Sequence, residues 1–167
     1  MIRIGLLSDT HNFLLPKVFE FFEPCQEIWH AGDIGNIKLA DDLNHFKPLK
    51  AVYGNIDGAD VKAVYPLHKK FYCENVTVWI THIGGYPGNY APDIRSRIIS
   101  NPPRLFISGH SHILKVVNDK KLGLLHINPG AAGKYGFHTV ITLVRFTIDD
   151  KRICDLEIME LEKTALA

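Results

Sequence analysis

At 167 residues, 46% of them hydrophobic, the chain can bury a core without disulfides and has the composition of a globular protein. Lys and Arg number 19 against 18 Asp and Glu, a formal charge of +1 with no basic run, so neither nucleic acid nor an anionic membrane is expected as a partner. No apolar run approaches the roughly 18 residues of a membrane span, the N-terminus lacks a signal peptide's apolar stretch, and Cys25, Cys73 and Cys154 show no C-x-x-C spacing, so free thiols and a cytoplasmic location are expected.

The first third alternates between two periodicities. "IRIGLLSD" is rich in strand formers, and "PKVFEFFEP" places Pro16 at a favoured first helical position and stops at Pro24. "EIWHAGD" reads as a second strand, "NIKLADDLNHF" as a helix with Ile37, Ala40 and Leu43 on one face, and "LKAVYGN" as a third strand. This β-α-β-α-β order predicts parallel strands joined by right-handed crossovers.

Beyond residue 65 the texture changes. "HKKFYCE" and "VTVWITH" flank Asn75 as a hairpin, "APDIRSRIIS" is helical, and "RLFISGH" is another strand. "ILKVVND" and "LGLLHIN" surround a turn at Lys120-Lys121, and "HTVITLVRFTI" and "RICDLEIMEL" surround Asp149-Asp150. These runs predict mainly antiparallel pairing. Exposed sheet edges over 113–118 or 138–147 would permit a homodimer. With no linker, repeat or low-complexity segment, one domain over 1–167 is expected.

Polar residues stand where the predicted strands end: Asp9 and His11 in "SDTH", Asp33 in "HAGD", Asn55 in "YGN", His82 in "ITH", and His110 and His112 in "SGHSH". The carboxyl ends of parallel strands line the crevice where ligands bind, so these endings can converge. Gly32, Gly54 and Gly109 each precede a candidate, where a glycine permits a sharp or left-handed turn. Carboxylates, imidazoles and an amide in this number exceed one tetrahedral zinc site and suit two divalent cations about 3.5–4 Å apart. The absence of thiolates among them favours Mn, Fe, Zn or Ni.

In order and approximate spacing, "SDTH", "GD", "GN", "TH" and "GHSH" resemble the metal-binding motifs of the calcineurin-like metallophosphoesterases, most closely the small bacterial and archaeal phosphodiesterase branch. The resemblance runs from about residue 3 to 145. It implies a four-layer α/β/β/α sandwich with mixed sheets and a dinuclear centre at one end. It further implies that Asp9, His11, Asp33 and His112 hold one metal and that Asp33, Asn55, His82 and His110 hold the other, with Asp33 bridging. Asp33, Asn55 and His82 are also the implied catalytic residues. The implied cofactors are two divalent ions, Mn first, with Ni, Fe, Zn or Mg as alternatives, and the implied nucleophile is a hydroxide between them that attacks a phosphodiester in line.

The chain departs from many larger relatives at Ile56, where they carry a histidine thought to assist the leaving oxygen. Isoleucine donates no proton, so good leaving groups should be favoured. Two divalent ions, two carboxylates and a hydroxide leave the centre near +1, which suits a small-molecule diester better than a monoester. His30 reads as a core residue or a partner that orients a ligand, Asp57 as a structural hydrogen-bonding group, and "NPG" at Asn128 as a turn supporting the GHSH loop. Tyr86 and Tyr90 in the loop after His82 are candidate walls of the substrate cleft. His45, His68, His126 and His138 read as surface or packing residues. The competing reading is a catalytically weak scaffold that binds protein partners, as the retromer subunit of this fold does, although that subunit's relatives have eroded ligands.

Overall fold

In the computed structural model, residues 1–166 are described. The order is β1 (Ile2–Leu7), α1 (Pro16–Phe22), β2 (Glu27–His30), α2 (Ile37–Phe46), β3 (Leu49–Ala51), α3 (Ala59–Lys62), β4 (His68–Cys73), β5 (Val76–Thr81), β6 (Gly85–Tyr86), β7 (Asn89–Tyr90), α4 (Pro92–Ser100), β8 (Leu105–Ile107), β9 (Leu114–Asp119), β10 (Leu124–Pro129), β11 (Val140–Asp149) and β12 (Arg152–Glu162), closed by a 3₁₀ turn Lys163–Leu166. Pro16 opens α1 with its φ already helical. Asn36 caps α2 by accepting from the Leu39 N–H at 2.9 Å, worth about 1 kcal/mol.

Two five-stranded sheets form, ordered β12-β11-β1-β2-β3 and β4-β5-β8-β10-β9. Strand alternation sends one set of side chains between the sheets and the other outward. Ile4, Leu6, Trp29, Val144 and Phe146 of the first sheet meet Val78, Ile80, Leu105, Ile107 and Ile127 of the second in the central core. On the outer face of the first sheet, Leu7, Ile28, Ile141 and Leu143 pack under Val18 and Phe22 of α1 and Leu39, Ala40 and Leu43 of α2. On the outer face of the second, Trp79, Phe106 and Leu124 pack under Ile94 and Ile98 of α4. These three apolar interfaces make the four-layer α/β/β/α sandwich that the sequence led us to expect.

β1, β2 and β3 pair in parallel, as their crossovers require. The second half is less uniformly antiparallel than expected: β8 runs parallel to both β5 and β10. The chain crosses through α4 between β5 and β8, and a crossover of that length returns the strand in the same direction. That parallel pair delivers His82 and His110 to the same end of the sheet. Residues 138–147 are not a free edge, because β11 is hydrogen-bonded on one side to β1 and on the other to β12. β9 is an edge strand. The one-turn α3 and the two-residue strands β6 and β7 were too short to show a period in sequence. Among the described residues, no helix is long and apolar enough to cross a membrane.

Candidate metal centre

Five of the seven candidate residues leave their strands through left-handed backbone. Asp9 (φ 54°), His11 (45°), Asp33 (55°), His110 (70°) and His112 (62°) all lie there, a conformation costing about 1–3 kcal/mol outside glycine and concentrated at functional sites. Of the three glycines expected to supply the turn, only Gly32 has a positive φ, 99°. Gly54 and Gly109 are required for space instead: a Cβ would overlap Asp33 Oδ1 at the former and Ser8 Oγ at the latter.

The strand ends bring the six carboxylate and imidazole candidates into two groups. Single ligand atoms of Asp9, His11 and His112 lie within 4.8 Å of one another, as do those of Asp33, His82 and His110. Asp33 stands between the groups, with Oδ2 at 3.4 Å from His11 Nε2 and 3.2 Å from His82 Nε2. Asp9 Oδ1 is 3.2 Å from His112 Nε2 and 3.8 Å from His82 Nε2. Asn55, the seventh candidate, is exposed at the rim and shares a recess with Thr81 and His82.

The hydrogen bonding leaves the inward-facing atoms over. Asp9 Oδ2 accepts from the Ser8 hydroxyl at 2.7 Å and the His110 N–H at 3.1 Å, while Asp33 Oδ1 accepts from the Ile56 N–H at 3.1 Å. A carbonyl can only accept, so His82 Nδ1, 2.8 Å from Ala31 O, carries a proton, which leaves Nε2 as the atom turned toward two carboxylates and free to bind a cation in place of a second proton. Asp9 Oδ1, His11 Nε2 and His82 Nε2 are among the buried side-chain atoms without a hydrogen-bond partner in the described residues, and they are the ones gathered at this centre. Facing lone pairs at such distances repel unless a cation or proton lies between them, so this donor set fits divalent metal.

Electrostatics agree in sign. Burial alone would raise the Asp9 carboxyl, but the nearby imidazoles of His11, His112 and His82 and the Ser8 hydroxyl outweigh it and hold the group well below the usual carboxylate range. Asp33 is likewise lowered, against the pull of burial, mainly by His82. His82 is raised in spite of burial, because Asp33 and Asp9 stabilise its cation. The site therefore attracts positive charge.

Surrounding residues hold the loops. Asp57 accepts from the N–H groups of Gly35 (2.7 Å), Gly54 (2.7 Å) and Ile34 (3.2 Å), tying the loop that carries Asp33 to the one that carries Asn55. His30 is buried and, among the described residues, makes no hydrogen bond to a candidate ligand's side chain: its Nδ1 accepts from the Gly32 N–H at 3.1 Å and its Nε2 meets Thr10 Oγ1 at 3.0 Å. Asn128 donates to Gly109 O at 2.8 Å, beneath the GHSH loop. His126 is a packing residue, fully buried, with its ring 5.5 Å from that of Phe106. His138 is not the surface or packing residue expected, because its Nδ1 lies 3.1 Å from His112 Nδ1. The glycine-rich stretch "GAAGKYGFH" just before a strand is the sequence signal that could have marked it.

Two recesses meet at His110, Ser111 and Ile113. One, of about 290 Å³, is walled by Ile83, Tyr86 and Tyr90, with Lys115 Nζ held 3.9 Å from the centroid of the Tyr86 ring. The other, of about 470 Å³, is walled by His112, Tyr135, Phe137 and His138.

A sequence profile of the calcineurin-like phosphoesterase superfamily domain matches residues 2–151. A probable metallophosphoesterase of Methanothermobacter thermautotrophicus is 28% identical over 138 residues, 77% of this chain and 76% of that protein. Vps29 of Entamoeba histolytica, solved in complex with Zn²⁺, is similar in structure with a TM-score of 0.75 at 14% identity, over 97% of this chain and 99% of that one. An archaeal phosphodiesterase gives 0.72 at 23% identity, over 96% and 100%. At these identities the structural likeness speaks for the fold, and the profile speaks for descent: the chain belongs to the calcineurin-like phosphoesterase superfamily.

Proposed function

We propose that this chain is a metal-dependent phosphodiesterase, a single metallophosphoesterase domain over residues 1–167 acting on small-molecule diesters. The observation that carries the reading is the set of buried, unpartnered atoms, Asp9 Oδ1, His11 Nε2 and His82 Nε2, facing one another across the ends of both sheets. In this reading Asp9, His11 and His112 hold one divalent ion, His82, His110 and Asn55 hold the other, and Asp33 serves both. When bound, the ions supply the chemistry by acidifying a water for attack on phosphorus and neutralising charge on the phosphoryl oxygens. The resemblance puts manganese first, while the donor set of imidazoles, carboxylates and an amide suits Mn, Fe, Zn or Ni, and the zinc complex of the Entamoeba protein supports zinc among them.

The protein's own part is to orient and to select. Ser8 and the His110 N–H fix Asp9, the Ile56 N–H fixes Asp33, and Ala31 O fixes His82. Two recesses opening from the His110 loop suit a substrate with two ester arms. The lone cation lining the recess beside Tyr86 is Lys115, on β9 and outside the strand-end motifs, in keeping with a diester's single negative charge. The presence of an archaeal phosphodiesterase among the structural neighbours supports the same preference.

The test is hydrolysis of bis(p-nitrophenyl) phosphate and of p-nitrophenyl phosphate by protein stripped of metal and reloaded with Mn, Ni, Zn or Mg. The diester should turn over faster, and Asp33→Ala and His110→Ala should abolish turnover. Equal or faster monoester hydrolysis would overturn the diester preference. Metal-loaded protein without any hydrolysis would favour the scaffold reading.

A further inference from the structure

His112 is held differently from the other candidate ligands. His82 donates from Nδ1 to Ala31 O, a carbonyl of the core, whereas His112 meets another histidine, its Nδ1 lying 3.1 Å from Nδ1 of His138. Which ring donates follows from the far side of His138, where Nε2 lies 2.8 Å from Gly133 O. That carbonyl can only accept, so the His138 proton sits on Nε2 and its Nδ1 is a lone pair. His112 must then carry its proton on Nδ1, and its Nε2 lone pair faces Asp9 Oδ1 at 3.2 Å.

Gly133 joins this relay to the other side of the same metal position. Its N–H donates to Asp9 O at 3.0 Å while its carbonyl takes the proton of His138, and next to it the Ala132 N–H donates to Ser8 O at 2.8 Å. A Cβ at Gly133 would overlap Thr10 O, and one at Gly136 would overlap His112 Nδ1, so the loop needs glycine to lie this close. The segment 133–138 thus fixes the main chain of Asp9 and the tautomer of His112 together. Asp33, His82 and His110 make no hydrogen bond to it among the described residues.

We propose that His138 is a positioning residue that selects the metal-binding tautomer of His112 and so sets the affinity of the Asp9–His11–His112 position while leaving the other position unaffected. The proposal rests on the two-metal reading above. Outer partners of ligating histidines typically govern metal affinity about 10–100-fold. The two ions are therefore expected to differ in how they depend on one half-buried histidine 26 positions beyond the ligand it serves.

The test is calorimetric titration of Mn²⁺ into the metal-stripped wild-type protein, His138→Phe and His138→Asn. Phenylalanine keeps the ring and removes the acceptor, while the asparagine side-chain oxygen can stand where Nδ1 stands. Two ions should bind the wild type, one of them about 10–100-fold more weakly in His138→Phe, with the second unchanged and the loss largely restored in His138→Asn. Long-range ¹H–¹⁵N spectra should show His112 protonated at Nδ1 in the wild type and as a mixture of tautomers in His138→Phe. Wild-type-like binding at both positions, or equal weakening of both, would overturn the role given to His138. A wild type that binds no Mn²⁺ would instead remove the metal reading, and this proposal with it.

Discussion

The main-chain N–H of Ile56 donates to Asp33 Oδ1 at 3.1 Å, leaving Oδ2 to face His11 and His82. A residue with no polar side chain thus orients the carboxylate assigned to both ions. The residue is 44% exposed, so a polar ring of similar size fits there without displacing the core. Ile56→His keeps the main-chain bond and adds a proton donor near the leaving oxygen. Across aryl diesters of rising leaving-group pKa, log kcat should fall steeply in the wild type and less steeply in Ile56→His, by up to about 100-fold for the poorest leaving group. Parallel lines for the two proteins would show that position 56 has no bearing on leaving-group assistance.

Asp57 collects three N–H donors from the two loops that carry Asp33 and Asn55. Removing the carboxylate leaves them without their acceptor, at about 1–3 kcal/mol for each that water cannot reach. Asp57→Ala should lower unfolding stability by about 3 kcal/mol and weaken Mn²⁺ binding at both positions, in contrast to His138→Phe. Chemical denaturation of the metal-free proteins measures the first effect and calorimetry the second. An Asp57→Ala protein as stable as the wild type would mean that the brace is dispensable.

Several of these residues were legible in the sequence because their chemistry and their place agree. A carboxylate or imidazole directly after a run of strand formers is conspicuous, and the parallel order of the first three strands already sends Asp9, Asp33 and Asn55 to one rim. What was not legible is non-local. The parallel pairing of β8 depends on α4 crossing the sheet, and the tie between His138 and His112 depends on how a glycine-rich loop folds back over Asp9. The left-handed turns were foreseen on the glycines, yet Gly54 and Gly109 serve close approach while Asp33 and His110 bear the positive φ.

Acid should unfold the protein partly through histidines outside the metal site. Burial pushes His126 down to about 4 and His30 down to about 4. Both rings are neutral in the fold, while in the unfolded chain they titrate near the ordinary value of about 6.5. Their contribution is fully present above about pH 6.5 and is lost as pH falls toward 4, at roughly 1.4 kcal/mol per pH unit for each ring. His82 acts in the opposite sense, its raised pKa giving stability that is lost as pH rises. His126→Phe, packed on Phe106, isolates one ring: the stability lost between pH 6.5 and 5 should shrink by about 2 kcal/mol relative to wild type. An unchanged loss would mean that His126 is not neutral in the fold.

Metal should stabilise the fold wherever it binds the native site alone. At a Mn²⁺ concentration about 100 times the dissociation constant, one position adds about 2.7 kcal/mol. Thermal unfolding with and without Mn²⁺ should show a rise in Tm for the wild type and little or none for Asp33→Ala. A rise of equal size in both proteins would place the binding elsewhere.

The most direct measurement is anomalous scattering from crystals of the Mn²⁺-loaded protein. Two peaks about 3.5–4 Å apart are expected, one among Asp9, His11 and His112 and the other among Asn55, His82 and His110, with the Asp33 carboxylate between them. A single peak, or peaks away from these residues, would contradict a dinuclear centre.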